Sequence, residues 1–572
     1  MTYILGISAY YHESAACLVC TKTNKIIGYC KEESVSRVKG DNSFPKYAIN
    51  EILVSSGICI SDISQITFYE RPLSAFLEPI KLSSEYVPQS LALIINQFGK
   101  AFKGSLAFQA DLEEYFPLFS GRIQYLDHHL SHLYTALASS ARSNDLCAVI
   151  VDGFGDTSCT SIFRVNSLRD IRLVWESRLP NSIGLFYSAI TDFLGFSINE
   201  GEYKVMGLAS YGEPLYLEQM QKMLAFQEDD LVLDLQFFEF HESINRSYSP
   251  EFSSALGIQP REVNQNLVLN DPLFSHYANI ASSAQKHVEN LLSRLFKLGR
   301  DKTGLNSFLF GGGVAMNSVA IPKIVEDVNP EYLEVAWSPG DAGSAIGAAY
   351  WTLLKHNSDF EDLLLDTPFI GLANSKSNIE ALVADKLEYT KIADACNFLP
   401  ELCRLLEQGH TVAVCRDSAE IGPRALGNRS LICNGESDIA VKCMNEVIKG
   451  RSPFRPTAPA TNKKYADIFY ELDSRLENLY KVMGAAVSVH ESSEAYEFPT
   501  THIDKTARIQ IADEGSLIDM IVTYSHSLRV IANTSFNISS DPTIVRLLDS
   551  IVGISLMEVQ YMLTDSGLYY FG

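Results

Sequence analysis

The stretch LCAVIVDGFGDTSCTSIFRV, residues 146–165, reads as an apolar strand, an acidic glycine loop and a second strand. A third strand is predicted next, at residues 171–179. The same rhythm opens the chain, where YILGIS (3–8), CLVC (17–20) and IIGYCKEE (26–33) predict strands separated by a polar loop and a turn. The two copies differ in sequence but share the order of strands and loops. This duplication, with helices after each copy, predicts a two-lobed α/β fold with a ligand cleft where strand ends meet.

The composition indicates a globular protein with more than one domain. The chain has 572 residues, of which 46% are hydrophobic and 20% charged, and so long a chain exceeds one ordinary core. A net charge of −23 disfavours nucleic acid as a partner but leaves room for a local basic pocket. The start resembles no signal peptide, and no apolar run is long enough for a bilayer. We therefore expect a cytoplasmic protein without a membrane partner, whose 11 scattered cysteines are free thiols.

Two further strand-to-helix units follow. SFLFGGGVAMNSV (307–319) runs from an apolar strand through three glycines into a predicted helix, which suits a tight turn and a phosphate loop equally. In residues 333–354 a strand leads through a Pro-Gly turn into a helix of small residues, which can pack closely against a neighbour.

The pattern lapses around residues 355–375. We place a domain boundary there and predict domains 1–360 and 361–572. Beyond it, residues 379–387 and 395–410 read as helices and 411–417 as a strand. Residues 226–275 show no strong period and are interpreted as a helical or irregular insertion, a common location for substrate-specific parts.

A metal site is the first candidate constellation. In HHLSH, His128 and His132 lie on one face of a predicted helix. Spacing alone favours packing, but Asp152 and Asp341 follow strands in loops that should open into the same cleft. Histidines and carboxylates together suit iron, manganese or zinc, and Fe(II) in particular. His12, in the first loop, is either a surface residue or a general base near that cleft.

An anion pocket in the second domain is the other candidate. In a strongly acidic chain, GPRALGNRS (422–430), IKGRSPFRPTAP (448–459), TARIQ (506–510) and NTSFN (533–537) concentrate cations and polar donors. Arginine forks and lysines bind phosphate, although ion pairs to acidic residues explain such residues equally well. The members are Arg424, Arg429, Lys449, Arg451, Arg455, Arg508, Asn533, Thr534, Ser535 and Asn537.

These motifs, together with ILGISAYYHESAACLV, VDGFGDTS, GEYKVMGLASYG and SPGDAGSAIGAA, closely resemble the O-carbamoyltransferases of antibiotic, toxin and nodulation-factor biosynthesis. The resemblance runs from about residue 3 to about residue 570 and keeps the family order. It implies an actin/hexokinase-like first domain, similar to the tRNA threonylcarbamoyl transferase, and an α/β YrdC-like second domain. It also makes a homodimer plausible.

The resemblance implies two chemical steps. Carbamoyl phosphate and ATP, with magnesium, give carbamoyl adenylate in the YrdC-like domain. A hydroxyl, less often an amine, of a small-molecule natural product then takes the carbamoyl group in the first domain. The resemblance also implies an internal passage between the two sites, which protects the intermediate from water.

By position, the resemblance assigns a role to each matching residue. His128, His132, Asp152 and Asp341 match the metal cluster, usually iron, and His12 matches the base at the acceptor site. Lys39, Gly312, Gly313 and Asn317 match nucleotide and carbamoyl-adenylate contacts, while Arg424, Lys449, Arg455, Arg508 and Ser535 match the carbamoyl phosphate and ATP pocket. The chain departs from the family pattern at Glu13, where aspartate is common, at Lys505, where glycine is common, and after NTSFN, at 538–543.

Two other classes of function remain open from the sequence. An actin/hexokinase-like phosphotransferase would not need the basic second domain. A degenerate binding protein would have lost activation, and the altered residues 538–543 are its only support. A hydrogenase-maturation carbamoyltransferase should carry an acylphosphatase domain and zinc-finger cysteines, which this sequence does not show.

Overall fold

The computed structural model of the chain divides into two compact units. The first comprises Met1–Ile27 and Gly40–Asp366, and the second comprises Gly28–Lys39 and Thr367–Gly572. The predicted domains, 1–360 and 361–572, place the short segment Gly28–Lys39 in the first domain, whereas in the structure it belongs to the second unit. The residues described are 2–101, 103–263, 267–357, 360, 364–373, 388–538 and 541–572.

The first sheet contains the strands predicted at the start of the chain. Its strands are β1 (Tyr3–Ser8), β2 (Ala15–Cys20), β3 (Lys25–Lys31), β4 (Ile63–Phe68) and β5 (Arg122–Tyr125). They are ordered β3-β2-β1-β4-β5. β1 pairs antiparallel with β2 and parallel with β4, which in turn pairs parallel with β5.

The second sheet repeats this arrangement strand by strand. The strands of this sheet and of a separate hairpin are β6 (Leu146–Gly155), β7 (Ser158–Ser167), β8 (Asp170–Arg178), β9 (Leu224–Gln227), β10 (Asp230–Leu233), β11 (Ser307–Gly311) and β12 (Tyr332–Val335). The sheet order is β12-β11-β6-β7-β8, with β6–β7–β8 antiparallel and β6–β11–β12 parallel. The equivalence of the two sheets confirms the predicted duplication and the actin/hexokinase-like fold of the first unit.

The segment Gly28–Lys39, which belongs to the second unit, contains the helix α1 (Glu32–Ser36). The α-helices of the first unit are α2 (Lys46–Ser56), α3 (Pro72–Ser84), α4 (Leu91–Ala101), α5 (Phe108–Tyr115), α6 (His128–Ser139), α7 (Ile183–Phe193), α8 (Glu202–Ala209), α9 (Leu217–Met223), α10 (Pro250–Leu256), α11 (Phe274–Thr303), α12 (Ala320–Val328) and α13 (Asp341–His356) among the described residues. The first seven residues of β6 are all buried, as expected of a central strand covered on both faces.

The small residues of α13 allow very close packing, as predicted. A Cβ on Gly6 of β1 would stand 2.0 Å from the carbonyl oxygen of Ala345, and one on Gly347 would stand 1.9 Å from that of Ser131 in α6. No side chain larger than hydrogen fits at such approaches. The backbones of β1, α6 and α13 are therefore held against one another, which fixes the helix starts that carry the candidate metal ligands.

Two predicted segments differ in the structure. After β11 the glycines enter a short 3-10 turn, Gly313–Met316, and α12 begins only at Ala320. The sequence predicted a helix directly after the three glycines. In the structure a 3-10 turn comes first, so the glycines do not form the N-terminus of an α-helix. The interpretation of residues 226–275 as helical or irregular missed the strands β9 and β10, which pair antiparallel across a two-residue turn.

The second unit has an eight-stranded mixed sheet, and its α/β class is the one predicted. Its strands are β13 (Tyr389–Asp394), β14 (Val412–Cys415), β15 (Arg429–Asn434), β16 (Ala458–Thr461), β17 (Val487–Ser488), β18 (Thr506–Ala507), β19 (Gln510–Ile511), β20 (Ile531–Ser535), β21 (Tyr561–Thr564) and β22 (Gly567–Phe571). The sheet order is β13-β22-β21-β14-β15-β20-β16-β19, and β17 and β18 form a separate pair. Helices occupy Leu399–Glu407, Asp438–Lys442, Lys463–Phe469, Glu477–Lys481, Leu517–Tyr524 and Leu547–Leu556.

Alternating side chains of this sheet fill two hydrophobic clusters. In β14, Ala413 and Cys415 join one cluster while Val412 and Val414 join the other, because successive side chains of a strand point to opposite faces. The helix predicted at residues 379–387 lies outside the described residues. No helix in the described part of the chain combines the length and apolarity that a membrane span requires.

Candidate metal centre and cation cluster

Three elements bring the four predicted metal ligands of the first unit together. His128 and His132 occupy the first two turns of α6, whose start is capped by the Asp127 carboxylate accepting the backbone N–H of Leu130. Asp152 lies in the last part of β6, and Asp341 is the first residue of α13. All these positions are ends of elements that meet at one edge of the duplicated sheets, as the sequence predicted.

The donor atoms of these four side chains converge on one point. The Nε2 atoms of His128 and His132 are 3.0 Å apart, and Asp152 Oδ2 lies 3.3 and 2.9 Å from them. Asp341 Oδ1 lies 3.7 and 3.5 Å from the same nitrogens. One ligand atom from each residue falls within 4.8 Å of all the others. Convergent imidazole and carboxylate donors of this kind are the usual composition of an iron, manganese or zinc site.

The electrostatics of the cluster fit a cation. Burial opposes a charge on His128, but the carboxylates of Asp152 and Asp341 prevail and raise its pKa to about 10. The pKa of His132 is also raised, and the two imidazoles hold the pKa of Asp152 well below its usual range despite burial. Asp341 Oδ2 is buried and has no hydrogen-bond partner among the described residues. Two imidazoles and two carboxylates, in the deprotonated forms in which metal ligands bind, are a donor set that fits a divalent cation.

Neighbouring groups orient these ligands. His132 Nδ1 lies 3.2 Å from the hydroxyl of Ser344, and Asp152 Oδ1 accepts the backbone N–H of Gly153 at 2.7 Å. A Cβ on Gly155 would stand 2.0 Å from the ring of His128, so the glycine loop leaves room for that ring. Contacts to the far sides of ligands fix ring orientation and tautomer at metal sites.

His129 does not join the cluster. Its Nδ1 lies 2.7 Å from the hydroxyl of Ser161, and burial followed by the charge of His128 holds its pKa well below the usual range. It is a buried histidine of α6 that contacts β7 through Ser161.

His12, the predicted base, lies in the loop between β1 and β2. Its Nε2 is 2.7 Å from the carbonyl oxygen of Asn199. Burial opposes a charge on the ring, but Glu13 and then Asp341 prevail and raise its pKa. His12 is therefore close enough to the cluster for the charge of Asp341 to act on it.

The glycine loop lies behind the metal ligands. Gly312 has a φ of +87°, and a Cβ there would meet the carbonyl oxygen of Val151 at 2.3 Å. A Cβ on Gly313 would stand 3.0 Å from Asp152 Oδ1. The side-chain amide of Asn317 pairs with that of Gln285 through reciprocal bonds of 3.0 Å. The loop therefore approaches Asp152 closely, while the Asn317 amide is engaged with α11.

The second unit gathers cationic side chains into one partly buried group, here called the cation cluster. Burial, and then repulsion from Arg424, Arg451 and Arg455, lowers the pKa of Arg508 well below its usual range. Burial lowers the pKa of Arg424 to about 10. The pKa of Lys449 is lowered by burial and by Arg451, Arg455 and Lys39. The cation cluster thus consists of Lys39, Arg424, Lys449, Arg451, Arg455 and Arg508, and its repulsion favours a bound anion.

Lys449 and Ser535 have a defined role within this cluster. The buried ammonium of Lys449 donates to the carbonyl oxygens of Ser535 and Asn537 at 2.6 and 2.5 Å and to Asn537 Oδ1 at 2.5 Å. The Ser535 hydroxyl donates to Asn537 Oδ1 at 2.6 Å. Lys449 therefore anchors the NTSFN segment at the end of β20. Its side chain is buried beside the other members of the cation cluster.

Arg429, from the same motif as Arg424, is structural. It is 1% exposed and donates to the carbonyl oxygens of Val545, Leu372 and Asp417 at 2.8 to 3.1 Å. The loop before it is ordered by Glu420, whose Oε1 accepts the backbone N–H groups of Leu426, Asn428 and Arg429. Through these hydrogen bonds the guanidinium of Arg429 holds the backbone of other segments in place.

Comparison with family models decides the wider assignment. A model described as Carbamoyltransferase N-terminus matches residues 3–350, and one described as Carbamoyltransferase C-terminus matches residues 403–569. The chain belongs to the carbamoyltransferase family.

Relatives of this carbamoyltransferase cover much of its length. An uncharacterised protein of Synechocystis sp. is 28% identical over 99% of the chain and 96% of its own length. Nodulation protein NolNO of Sinorhizobium fredii is 26% identical over 98% of the chain and 79% of its own length. The 3'-hydroxymethylcephem-O-carbamoyltransferase of Streptomyces clavuligerus is 28% identical over 41% of the chain and 43% of its own length.

Three residues beside the candidate metal centre of this carbamoyltransferase, Tyr69, Glu70 and Asp156, were missed from sequence. The ring of Tyr69 lies 5.1 Å from that of His128, and burial raises the pKa of the neighbouring Glu70 to about 7. Asp156 accepts the backbone N–H of His128 at 3.0 Å. The available signal was position, because residues 69 and 70 directly follow a parallel strand, where ligand sites concentrate.

Proposed function

We propose that this carbamoyltransferase uses ATP and water to convert carbamoyl phosphate into carbamoyl adenylate, with release of phosphate and pyrophosphate, and transfers the carbamoyl group to a hydroxyl of a small-molecule natural product. The observation that carries the proposal is the partly buried cation cluster in a chain of net charge −23. Such a cluster is costly unless it binds an anion. Carbamoyl phosphate and the ATP triphosphate are anions of the required kind.

Activation is assigned to the second unit. Arg424, Arg455 and Arg508 would bind phosphate oxygens through guanidinium forks, and the buried charge of Lys449 adds to the local positive potential. These cations stabilise the charge that develops as pyrophosphate leaves the α-phosphate. Arg451 donates to the Thr534 hydroxyl at 2.5 Å and so ties its guanidinium to strand β20.

Transfer is assigned to the first unit. His128, His132, Asp152 and Asp341 would hold a divalent metal, with Fe(II) as the candidate, which would supply positive charge for the adenylate phosphate. Gly312 and Gly313 let the backbone approach the nucleotide beside Asp152. His12 would take the proton of the acceptor hydroxyl, for which its position near Asp341 is suitable.

The acceptor is proposed by class alone. The name of the Streptomyces relative specifies a hydroxymethyl group on a cephem as the site of carbamoylation. By similarity we propose a hydroxylated secondary metabolite for this chain.

Pyrophosphate release tests the proposal. The protein, loaded with Fe(II) and Mg²⁺, is mixed with ATP and carbamoyl phosphate, and pyrophosphate is measured against a control without carbamoyl phosphate. We expect release only in the complete mixture. Release of ADP instead would indicate a phosphotransferase. A folded, metal-loaded protein that releases nothing would contradict the proposal and favour a binding protein.

A further inference from the structure

The contact of His12 with the loop before α8 determines which ring nitrogen can act as a base. His12 Nε2 lies 2.7 Å from the carbonyl oxygen of Asn199. A carbonyl oxygen accepts hydrogen bonds and cannot donate, so Nε2 must carry the proton of the neutral ring. The lone pair is then on Nδ1. A histidine base whose far nitrogen is tied in this way has one tautomer and one orientation.

Glu202, the first residue of α8, holds that carbonyl in place. Its Oε1 accepts the backbone N–H of Asn199 at 2.9 Å and the Ser188 hydroxyl at 3.2 Å. Its Oε2 accepts the backbone N–H of Gly201 at 3.1 Å. Asn199 has a φ of +68°, a left-handed conformation that asparagine tolerates but that needs such support. One carboxylate thus fixes both sides of the turn that presents the carbonyl to His12.

We propose that Glu202, acting through the Asn199 carbonyl, is the positioning residue that fixes His12 with Nδ1 as its proton acceptor. The inference rests on the proposed carbamoyl transfer. In that step Nδ1 takes the acceptor's hydroxyl proton and the oxygen bonds to the carbamoyl carbon. The bond from that carbon to the adenylate phosphate oxygen breaks, and AMP leaves with its electron pair. The imidazolium that forms keeps its Nε2–H bond to Asn199.

The charges around His12 suit this role. Glu13 in its own loop, Asp341 of α13 and Glu202 of α8 all favour the protonated ring. Each therefore stabilises the imidazolium that transfer produces. Glu202 differs from the other two because it also bonds the turn that contacts the ring.

Nitrogen NMR of the full-length protein with ¹⁵N-labelled histidine tests the tautomer without any acceptor. His12 is assigned by comparison with His12→Gln, and spectra are taken above the pKa of His12, where the ring is neutral. In the unsubstituted protein we expect a protonated Nε2 and an unprotonated Nδ1. Glu202→Ala should give a mixture of both tautomers, whereas Glu202→Gln, which keeps Oε1 for Asn199, should restore the single form. A protonated Nδ1 in the unsubstituted protein would overturn the assignment.

Matched controls separate positioning from general damage. Asn199→Gly keeps the carbonyl and the left-handed turn, so the single tautomer should persist. Glu218→Gln removes an exposed carboxylate of the same unit and should change nothing. A tautomer mixture in either control would contradict a specific role of Glu202.

Pyrophosphate release distinguishes this inference from the proposed function. Glu202→Ala should release pyrophosphate with carbamoyl phosphate at the unsubstituted rate, because activation does not use His12. If release occurs but the His12 signals ignore Glu202→Ala, the positioning role fails while the function stands. If the unsubstituted protein releases none, the function fails, and with it the role of Nδ1 as a base.

Discussion

Arg424 and Arg429 stand five positions apart in one motif, yet their surroundings give them different tasks. Arg429 is almost completely buried and satisfies backbone carbonyls of distant loops. Arg424 lies among like charges, and burial lowers its pKa to about 10. In the sequence both residues are arginines of one motif, and nothing there indicates that their roles differ. Their burial and hydrogen bonds in the structure distinguish them.

The pair supports opposite predictions. Arg429→Met should destabilise the protein by about 3 kcal/mol, because several buried carbonyl groups lose their donors. Arg424→Met should change stability by less than about 1 kcal/mol but lower carbamoyl phosphate-dependent pyrophosphate release about 100-fold, as expected for loss of a charge that stabilises a transition state. Thermal unfolding and the release assay measure the two effects. A normal melting temperature for Arg429→Met would refute its structural role.

A second pair separates the two sites. His128→Ala removes one of four convergent donors, so bound metal and carbamoyl transfer should be lost while pyrophosphate release persists. Arg455→Ala should lose release and retain the metal. Metal content by mass spectrometry and release rate are measured for both, with His356→Ala, an exposed histidine, as the control. Loss of both properties in either folded variant would contradict the division of labour.

The buried carboxyl group of Glu289 should make the stability of the folded protein depend on pH, and the direction follows from its raised pKa. Burial raises its pKa in the folded protein, and it accepts the Gln285 amide that also pairs with Asn317. Its raised pKa means that the folded state binds the proton more tightly, so its contribution to stability is complete at acidic pH. It is lost as the pH rises from the ordinary glutamate value of about 4.3 through the folded pKa. Relative to the unsubstituted protein, Glu289→Gln should therefore become more stable as the pH rises from acidic to neutral, as measured by melting temperatures across that range. If instead the unsubstituted protein gains stability relative to Glu289→Gln over that range, the prediction is wrong.

At the scale of elements, close packing of helices fixes the positions of the candidate metal ligands. α6 carries both histidines and α13 carries Asp341, and the two helices touch through glycine backbone. A shift of either helix by a fraction of an ångström would separate the donors. The small residues of α13 are therefore part of the site, although none of them binds a ligand.

This packing predicts the effect of one methyl group. Gly347→Ala puts a Cβ 1.9 Å from the carbonyl oxygen of Ser131, so α6 and α13 must separate. We expect a loss of about 1 to 3 kcal/mol of stability together with weaker metal retention. Gly99→Ala is the control, because a Cβ there meets nothing within 4 Å and should stabilise α4 by about 0.5 to 1 kcal/mol. Equal effects of the two changes would contradict the packing argument.

The sequence revealed elements with strong local periodicity and missed features made by distant contacts. The strand rhythm at residues 3–33 and 146–179 predicted the duplicated sheets, and HHLSH drew attention to two of the four side chains that converge in the structure. The 3-10 turn after Gly313 and the β9–β10 hairpin were not foreseen, because short segments carry little periodic signal. The Asn199 contact of His12 joins residues 187 positions apart, and nothing near either residue indicates it.

At the scale of the whole molecule, cationic side chains are concentrated in one place although the net charge of the chain is strongly negative. The chain has a net charge of −23, and the second unit nevertheless concentrates cations whose pKa values are lowered by burial and then by mutual repulsion. The Nε atom of Arg508 is buried without a hydrogen-bond partner among the described residues. Such a cluster stores unfavourable energy that an anion relieves, so ligand binding and stability should be linked.

Inorganic pyrophosphate, a product of the proposed activation, provides the test of that linkage. At about 100 times its dissociation constant a ligand adds about 2.7 kcal/mol of stability, and each kcal/mol raises the melting temperature of a unit of this size by about 2 to 4 °C. Calorimetry of the full chain should therefore show an upward shift of one transition. Sodium chloride should reduce the shift, because salt screens the attraction, and Arg508→Met should abolish it while Lys323→Met, on a surface helix of the other unit, should leave it intact. A shift that survives in Arg508→Met would mean that the anion binds elsewhere and would remove the main support for activation at the cation cluster.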